Sequence, residues 1–71
     1  MKLPNILKQL RLEINASQQD IANKISIPVS TYANWEQGRR EPSLTDLIML
    51  SRTFKVSTDY LLGIDNETSK Y

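Results

Sequence analysis

The sequence of 71 residues contains no cysteine and no histidine. Without cysteine there is no disulfide framework, no thiolate metal site and no cysteine nucleophile. Histidine is the commonest general base and metal ligand, so its absence removes much of enzyme chemistry. The chain also has no glycine-rich phosphate loop and no cluster of carboxylates. We therefore predict that the protein is not an enzyme and holds no metal and no cofactor.

Long apolar runs are missing as well. No run approaches the ~18–20 residues of a membrane span, and the N-terminus lacks the apolar core of a signal peptide. We therefore expect a cytoplasmic protein without membrane contact, and the length is sufficient for one small domain. Met1 reads as a natural start, while the polar tail suits either a natural end or a linker to a further domain.

Charge is nearly balanced over the whole chain but unevenly distributed. Residues 1–40 carry six Lys and Arg against three acidic residues, whereas residues 41–71 carry three against five. A basic end of this kind suits a polyanion partner on one face of the protein. Ordinary surface scatter accounts for the same asymmetry equally well.

The pattern after Asn15 predicts two short helices, about 18–25 and about 29–37, with a tight corner between them. Ser17 followed by Asp20 forms a capping box that begins the first of these helices. The corner is Ser26-Ile27-Pro28. Isolated helices of this length are marginal, so both must pack against the rest of the chain.

Three further helices are predicted, over about 5–14, about 43–54 and about 58–62. Apolar residues at helical spacing give the first a buried stripe of Ile6, Leu7, Leu10 and Ile14. The fourth helix is expected to bury Leu44, Leu47, Ile48, Leu50 and Phe54. The chain is therefore predicted to be an all-α domain of five helices over residues 1–63, followed by a polar, frayed tail over 64–71.

The third helix carries the most informative pattern. Tyr32, Trp35 and Glu36 share one side, and the aromatic pair identifies that side as buried. The opposite side carries small or short polar residues without charge: Ser30, Ala33, Asn34 and Gln37. Amide and hydroxyl groups suit reading donors and acceptors on base edges, although a plain polar surface remains the alternative. Arg39 and Arg40 follow the helix and would reach phosphate beside a DNA groove, or would simply be solvated.

Several pairs and runs at set spacing lie between about Leu7 and Gly63. They are Leu10-Arg11, Ser17-Gln18, Ile21-Ala22, Ile27-Pro28, Trp35-Glu36, Gly38, Pro42-Ser43-Leu44, Leu47 and the run from Val56 to Gly63. No single item is specific, but in combination the chain resembles the Xre-type, or lambda-repressor/Cro-like, helix-turn-helix family of phage and bacterial repressors.

The resemblance implies a transcription regulator that binds double-stranded DNA as a homodimer, with helix 29–37 in the major groove of a near-palindromic operator. It assigns base reading to Val29, Ser30, Asn34 and Gln37. It assigns phosphate contacts to Gln18, Thr31, Arg39, Arg40 and Ser43. Arg11 and Glu36 match a structural ion pair. The candidate dimer contacts are Tyr60, Leu62 and Ile64, of which Tyr60 and Ile64 suit the core equally well.

The chain also departs from the family pattern. Ser26 and Lys55 stand where glycine is usual, so either backbone strain is tolerated there or the turn differs. Val29 replaces a polar reader and would press on a thymine methyl, while Asn34 would pair with adenine, so we expect A·T content in the site. Because a fold does not fix a function, an antitoxin-like protein-interaction module remains the alternative.

Overall fold

The computed structural model describes residues 2–64, and every regular element within them is helical. The five helices are α1 (Leu3–Glu13), α2 (Gln18–Lys24), α3 (Val29–Gln37), α4 (Leu44–Phe54) and α5 (Thr58–Leu62). The predicted all-α, five-helix class is confirmed. The tail prediction for residues 65–71 lies outside the described residues.

Helix α1 is shifted toward the N-terminus relative to its prediction. It begins at Leu3, with proline in its first turn, and ends at Glu13. Leu3 and Leu7 are buried, while Ile14 is 56% exposed, so the prediction that Ile14 belongs to the buried stripe was wrong. The reason is that Ile14 lies beyond the last helical residue, where helical spacing no longer sets the direction of a side chain. Asn15 then reverses the chain with φ +56°.

Helices α2 and α3 form the predicted pair. The Ser17 hydroxyl accepts a hydrogen bond from the Asp20 N–H at 2.9 Å, and the Asp20 carboxylate accepts one from the Ser17 N–H at 2.8 Å. This capping box is therefore confirmed. Helix α2 ends at Lys24, one residue before its predicted end, and Ser26 makes the corner with φ +61°. The turn keeps its left-handed residue without glycine.

One continuous core holds the helices together. Its buried members are Leu3, Leu7, Leu10, Ile21, Ala22, Ile25, Tyr32, Trp35, Leu47, Leu50 and Leu61. The Tyr32 and Trp35 rings meet edge to face, with their centroids 6.0 Å apart. Ala22 on α2 is completely buried, so α2 as well as α3 turns one side into this core.

Helix α4 buries less than its pattern predicted. Leu47 and Leu50 are buried, but Leu44 is 80% exposed and Ile48 is 47% exposed. Leu44 is the first residue of the helix, and Ile48 lies about 100° around the axis from Leu47. The prediction that these two residues belong to the core was therefore wrong: the neighbouring helices cover a narrower stripe than the apolar pattern spans.

Candidate nucleic-acid interface

The outward side of α3 is oriented by the burial of its inward side. Tyr32 and Trp35 are almost fully buried, so the residues between and opposite them face away from the core. Of the four predicted base readers, Val29, Ser30 and Gln37 are exposed and Asn34 is half-buried. The four lie together on one helix, and none of them carries a charge. That surface can offer hydroxyl, amide and methyl groups to a partner.

The loop after α3 is anchored by the backbone of that helix. Gly38 adopts φ +78° and ends the helix. The Asn34 carbonyl then accepts hydrogen bonds from the Arg39 N–H at 3.0 Å and the Arg40 N–H at 3.4 Å. Both arginine side chains are exposed. The structure therefore holds two cations directly beside the C-terminal end of the uncharged surface.

The remaining residues predicted to contact phosphate differ in their exposure and in whether their side chains already have hydrogen-bond partners within the protein. Ser43 caps α4: its hydroxyl accepts from the Asp46 N–H at 3.1 Å and donates to the Asp46 carboxylate at 2.9 Å. Thr31 is half-buried in the first turn of α3. Gln18 is the first residue of α2, and its side chain is engaged with Glu36. Ser43 and Gln18 therefore already have partners within the protein.

The predicted Arg11–Glu36 pair is present and joins α1 to α3. The Arg11 Nε donates to Glu36 Oε2 at 2.7 Å and its Nη2 donates to Oε1 at 3.1 Å. The pair is therefore bidentate, which is a strong geometry for an arginine and a carboxylate. The Arg11 Nη1 also donates to the Ala16 carbonyl at 3.0 Å, between α1 and α2. The two side chains are only 12% and 3% exposed.

A second hydrogen-bond partner of the Glu36 carboxylate was missed by sequence reasoning. The Gln18 Nε2 donates to Glu36 Oε1 at 3.0 Å. These residues are 18 positions apart and belong to different helices, so no local spacing signals the contact. The family resemblance assigned Gln18 to phosphate alone.

These contacts shift the pKa values of Glu36 and Arg11, and burial shifts that of Tyr32. Burial opposes the ionisation of Glu36, but the Arg11 guanidinium, the nearby Tyr32 hydroxyl and the Gln18 amide outweigh it and lower the pKa of the carboxyl. The hydrogen bond to Glu36 raises the pKa of Arg11. Burial, followed by the nearby carboxylate, raises the pKa of Tyr32 far above its usual range. The Tyr32 hydroxyl lies close enough to act electrostatically, yet makes no hydrogen bond of good geometry within residues 2–64.

The candidate dimer residues divide between surface and core. Tyr60 is 42% exposed and Ile64 is 58% exposed, so neither belongs to the core, whereas Leu62 packs partly against it. Leu62 also lines a shallow groove of about 180 Å³ with Leu3, Glu41, Pro42, Leu44 and Leu47.

Within residues 2–64, no group of three or more acidic side chains lies close enough together to hold a metal ion. In the same residues, the helices are all too short or too polar to cross a bilayer.

A family comparison decides how this arrangement is classified. The profile described as helix-turn-helix matches residues 7–61, which include all of α2, the corner and α3. The chain belongs to the helix-turn-helix family. The resemblance inferred from sequence is thereby confirmed.

Relatives in the helix-turn-helix family are named as transcriptional regulators. The chain is 37% identical over 70 residues to the HTH-type transcriptional regulator ImmR of Bacillus subtilis, covering 99% of this chain and 55% of that protein. It is 43% identical over 61 residues to the regulator AnsR of the same organism, covering 86% and 53%. It is 30% identical over 63 residues to the cryptic phage CTXphi transcriptional repressor RstR of Vibrio cholerae, covering 89% and 56%. The chain therefore spans about half the length of the curated relatives it matches.

Proposed function

We propose that this helix-turn-helix protein is a transcriptional repressor that binds a near-palindromic operator as a homodimer, with α3 in the major groove. The observation that carries the proposal is the uncharged outward surface of α3, which is oriented by the burial of Tyr32 and Trp35. A recognition helix needs this combination, because base edges are read by hydrogen bonds and methyl contacts from a helix in a defined orientation. The repressor role is proposed from the name of RstR, a phage transcriptional repressor.

The base-reading assignments follow from the chemistry of each side chain. Val29, exposed at the N-terminal end of α3, contacts a thymine methyl in this proposal, and Asn34 makes paired hydrogen bonds to adenine. Ser30 and Gln37 read neighbouring positions through their hydroxyl and amide groups. The operator half-site should therefore be rich in A·T pairs.

Phosphate contacts fix the register of the protein on the duplex in this proposal. Arg39 and Arg40 are the leading groups, because both are exposed beside the end of α3. Gln18 contributes an amide N–H, and Thr31 and the start of α4 at Ser43 lie at the margins of the interface. As a DNA-bound regulator, the protein would act in the cytoplasm at the nucleoid.

The deciding experiment selects sites from a random duplex pool and then titrates the selected duplex and a scrambled duplex across a salt series. We expect a near-palindrome rich in A·T, bound about a thousandfold or more better than scrambled DNA. The logarithm of affinity should fall with the logarithm of salt by several ions. Equal, weak binding to both duplexes would refute the sequence-specific function.

A second experiment tests the base assignments directly. The variants Val29→Gln and Asn34→Ala are titrated against duplexes with single base-pair changes in the half-site. Each variant should lose its preference at one position only, at a cost of about 1–3 kcal/mol for the base it reads. Gln9→Ala, at an exposed position on α1 outside the proposed DNA contacts, is the control and should leave the preference profile unchanged. If both reader variants keep the wild-type profile, the assignments are wrong.

A protein-interaction module is the second candidate function. The observation that favours it is the exposure of Leu44 and Ile48, two large apolar residues one turn apart on α4. An adjoining pair of this kind is typical of a protein contact when it extends into a larger patch. This candidate would lead if site selection returned no motif.

A further inference from the structure

Side chains from two helices, α1 and α2, converge on the Glu36 carboxylate of α3. Arg11 reaches it from α1 with two hydrogen bonds, and Gln18 reaches it from the first turn of α2 with one, at 3.0 Å. The Glu36 side chain is 3% exposed, whereas Gln18 is half-buried and keeps part of its surface in solvent. Glu36 therefore links the core of the protein to a residue at the surface beside α3.

The Gln18 amide has one donor more than this contact uses. A glutamine NH₂ group carries two N–H bonds, which diverge in the amide plane. One of them is donated to Glu36 Oε1, so the second points away from that oxygen. A phosphate oxygen accepts hydrogen bonds and donates none, so it can accept from the second N–H while the first remains in place.

Holding the amide in this way has a consequence for binding. A long polar side chain loses rotamer freedom when it is immobilised in an interface, and that loss weakens association. In the free protein the contact with Glu36 has already ordered Gln18. The neighbouring Gln19 differs, since its amide is bonded to Asn23 within the same exposed helix turn.

An acidic side chain close to DNA would normally repel the phosphates. Here the two-pronged Arg11 guanidinium compensates the Glu36 charge, and the burial of the carboxylate keeps it away from direct contact. The carboxylate can therefore act as an acceptor toward Gln18 without presenting a free negative charge to the duplex.

We propose that Glu36 is a positioning residue for DNA binding: its carboxylate fixes the Gln18 amide so that the second N–H of this amide is held ready for a phosphate oxygen. This inference rests on the proposed DNA-binding function. It goes beyond the ion pair with Arg11, because it gives Glu36 a part in affinity and not in folding alone.

For the replacement of Glu36, the proposal predicts a change in DNA affinity opposite to the change that charge alone predicts. Removing a negative charge near DNA should tighten binding electrostatically. If Glu36 positions Gln18, however, Glu36→Gln weakens binding, because its amide keeps only one of the two acceptor oxygens: when that oxygen accepts from the Arg11 Nε–H, the amide NH₂ faces Gln18 and cannot accept from it. Glu13→Gln is the matched control: it removes the same charge from an exposed position on α1 and should leave binding unchanged or slightly tighter.

The test is a double-mutant cycle on DNA affinity with Gln18→Ala, Glu36→Gln and the double variant. The probe is the duplex selected above, or a mixed-sequence duplex if selection yields no site. We expect Gln18→Ala to weaken binding about tenfold in the wild-type background and no more than about twofold in the Glu36→Gln background. Gln19→Ala should change affinity less than about twofold in both backgrounds. Circular dichroism checks that each variant is folded at the temperature of the titration.

Three results would overturn the inference while DNA binding by the wild-type protein stands. They are tighter binding by Glu36→Gln, an equal loss from Gln18→Ala in both backgrounds, and no loss from Gln18→Ala in the wild type. If the wild-type protein binds neither duplex, the proposed function fails and this inference fails with it.

A measurement on the wild-type protein covers the case in which Glu36→Gln does not fold. Side-chain amide relaxation by NMR compares Gln18 with the exposed Gln9 and Gln37 in the free protein. The proposal requires a rigid Gln18 amide before DNA is added. Of the two Gln18 N–H signals, the one that is not bonded to Glu36 should shift more on titration with duplex. A Gln18 amide as mobile as those of Gln9 and Gln37 would overturn it.

Discussion

At the scale of single residues, the Arg11–Glu36 pair is expected to dominate stability. Arg11→Met keeps much of the apolar stem but leaves the Glu36 carboxylate, 3% exposed, without its cation. Breaking a buried pair by removing one partner costs about 3–5 kcal/mol, and the 12% exposure of Arg11 favours the lower end of that range. Urea unfolding followed by Trp35 fluorescence measures the loss.

Lys8→Met is the control for this variant, because it removes an exposed cation from the same helix. It should change the free energy of unfolding by no more than about 0.5 kcal/mol. Similar small losses in both variants would show that the pair behaves like an exposed one, for which less than about 1 kcal/mol is usual.

The same carboxylate predicts how stability changes with pH. The pKa of Glu36 is lowered in the folded protein, so between its usual value of 4.5 and its folded value the unfolded chain binds more protons than the native one. Stability from this group is therefore fully present above about pH 4.5 and is lost as pH falls through the folded pKa.

Glu36→Gln should accordingly show a shallower decline of unfolding free energy below about pH 4.5 than the wild type. Asp20 also has a lowered pKa, caused first by the hydrogen bond from the Ser17 backbone, so Asp20→Asn serves as a comparison from the other side of α2. Urea unfolding at a series of pH values measures both slopes. A decline in Glu36→Gln as steep as that of the wild type would contradict the assignment.

At the scale of elements, the two positions that depart from the family's glycine keep the glycine-like backbone. Ser26 and Lys55 have φ of +61° and +57°, and a side chain in this region costs about 1–2 kcal/mol. Ser26→Gly and Lys55→Gly should each raise stability by about 0.5–1 kcal/mol, since the relief of strain is partly offset by the freedom of glycine in the unfolded chain.

Asn15→Gly is the matched comparison for those two variants. Asn15 has φ +56°, but asparagine tolerates this conformation better than serine or lysine, so its gain should be smaller. Thermal unfolding of the three variants gives the order directly. Equal gains at all three positions would mean that side-chain strain is not what distinguishes them.

The two glycines at helix ends form a second matched pair. Gly38 and Gly63 have nearly the same φ, +78° and +75°, but a Cβ on Gly38 would lie 3.6 Å from Pro4 whereas one on Gly63 would lie 2.8 Å from the Lys2 Cβ. Both alanine variants should lose about 1–2 kcal/mol of stability, because a side chain at positive φ introduces backbone strain. Gly63→Ala should lose more in chemical unfolding, and its excess measures how firmly Lys2 packs over the end of α5.

The elements that sequence predicted well are those fixed by local chemistry. The capping box at Ser17, the corner and the bounds of α3 follow from residues within one turn of each other. The exposure of Leu44 and Ile48 could not be predicted in this way, because an apolar stripe does not say how much of it the neighbouring helices cover.

At the scale of the whole molecule, the limits of sequence reasoning lie in contacts between helices. The ion pair was predictable only because the family resemblance supplied it, and the Gln18–Glu36 hydrogen bond was not predicted at all. That bond depends on how α2 and α3 pack against each other, which no spacing within either helix encodes. The sequence therefore predicts which residue types line the candidate interface, but not the hydrogen bonds that connect them.

The proposed homodimer would place two α3 helices about 34 Å apart on a near-palindrome. Tyr60, 42% exposed on α5, is the aromatic residue best placed to anchor such a contact. Tyr60→Gln should weaken binding to the full palindrome about tenfold or more, because exposed aromatic residues commonly dominate protein interfaces. Binding to an isolated half-site should stay unchanged, because Tyr60 is not among the proposed DNA contacts.

Leu12→Gln is the control for the dimer prediction, since Leu12 is 55% exposed on α1 and the exchange is equally neutral in charge. It should leave both affinities as they are. A Tyr60→Gln variant that loses full-site and half-site affinity by the same factor would show that Tyr60 acts within one copy of the chain. A variant that loses neither would move the dimer contact elsewhere, and the exposed Leu44 and Ile48 on α4 would be the next residues to exchange.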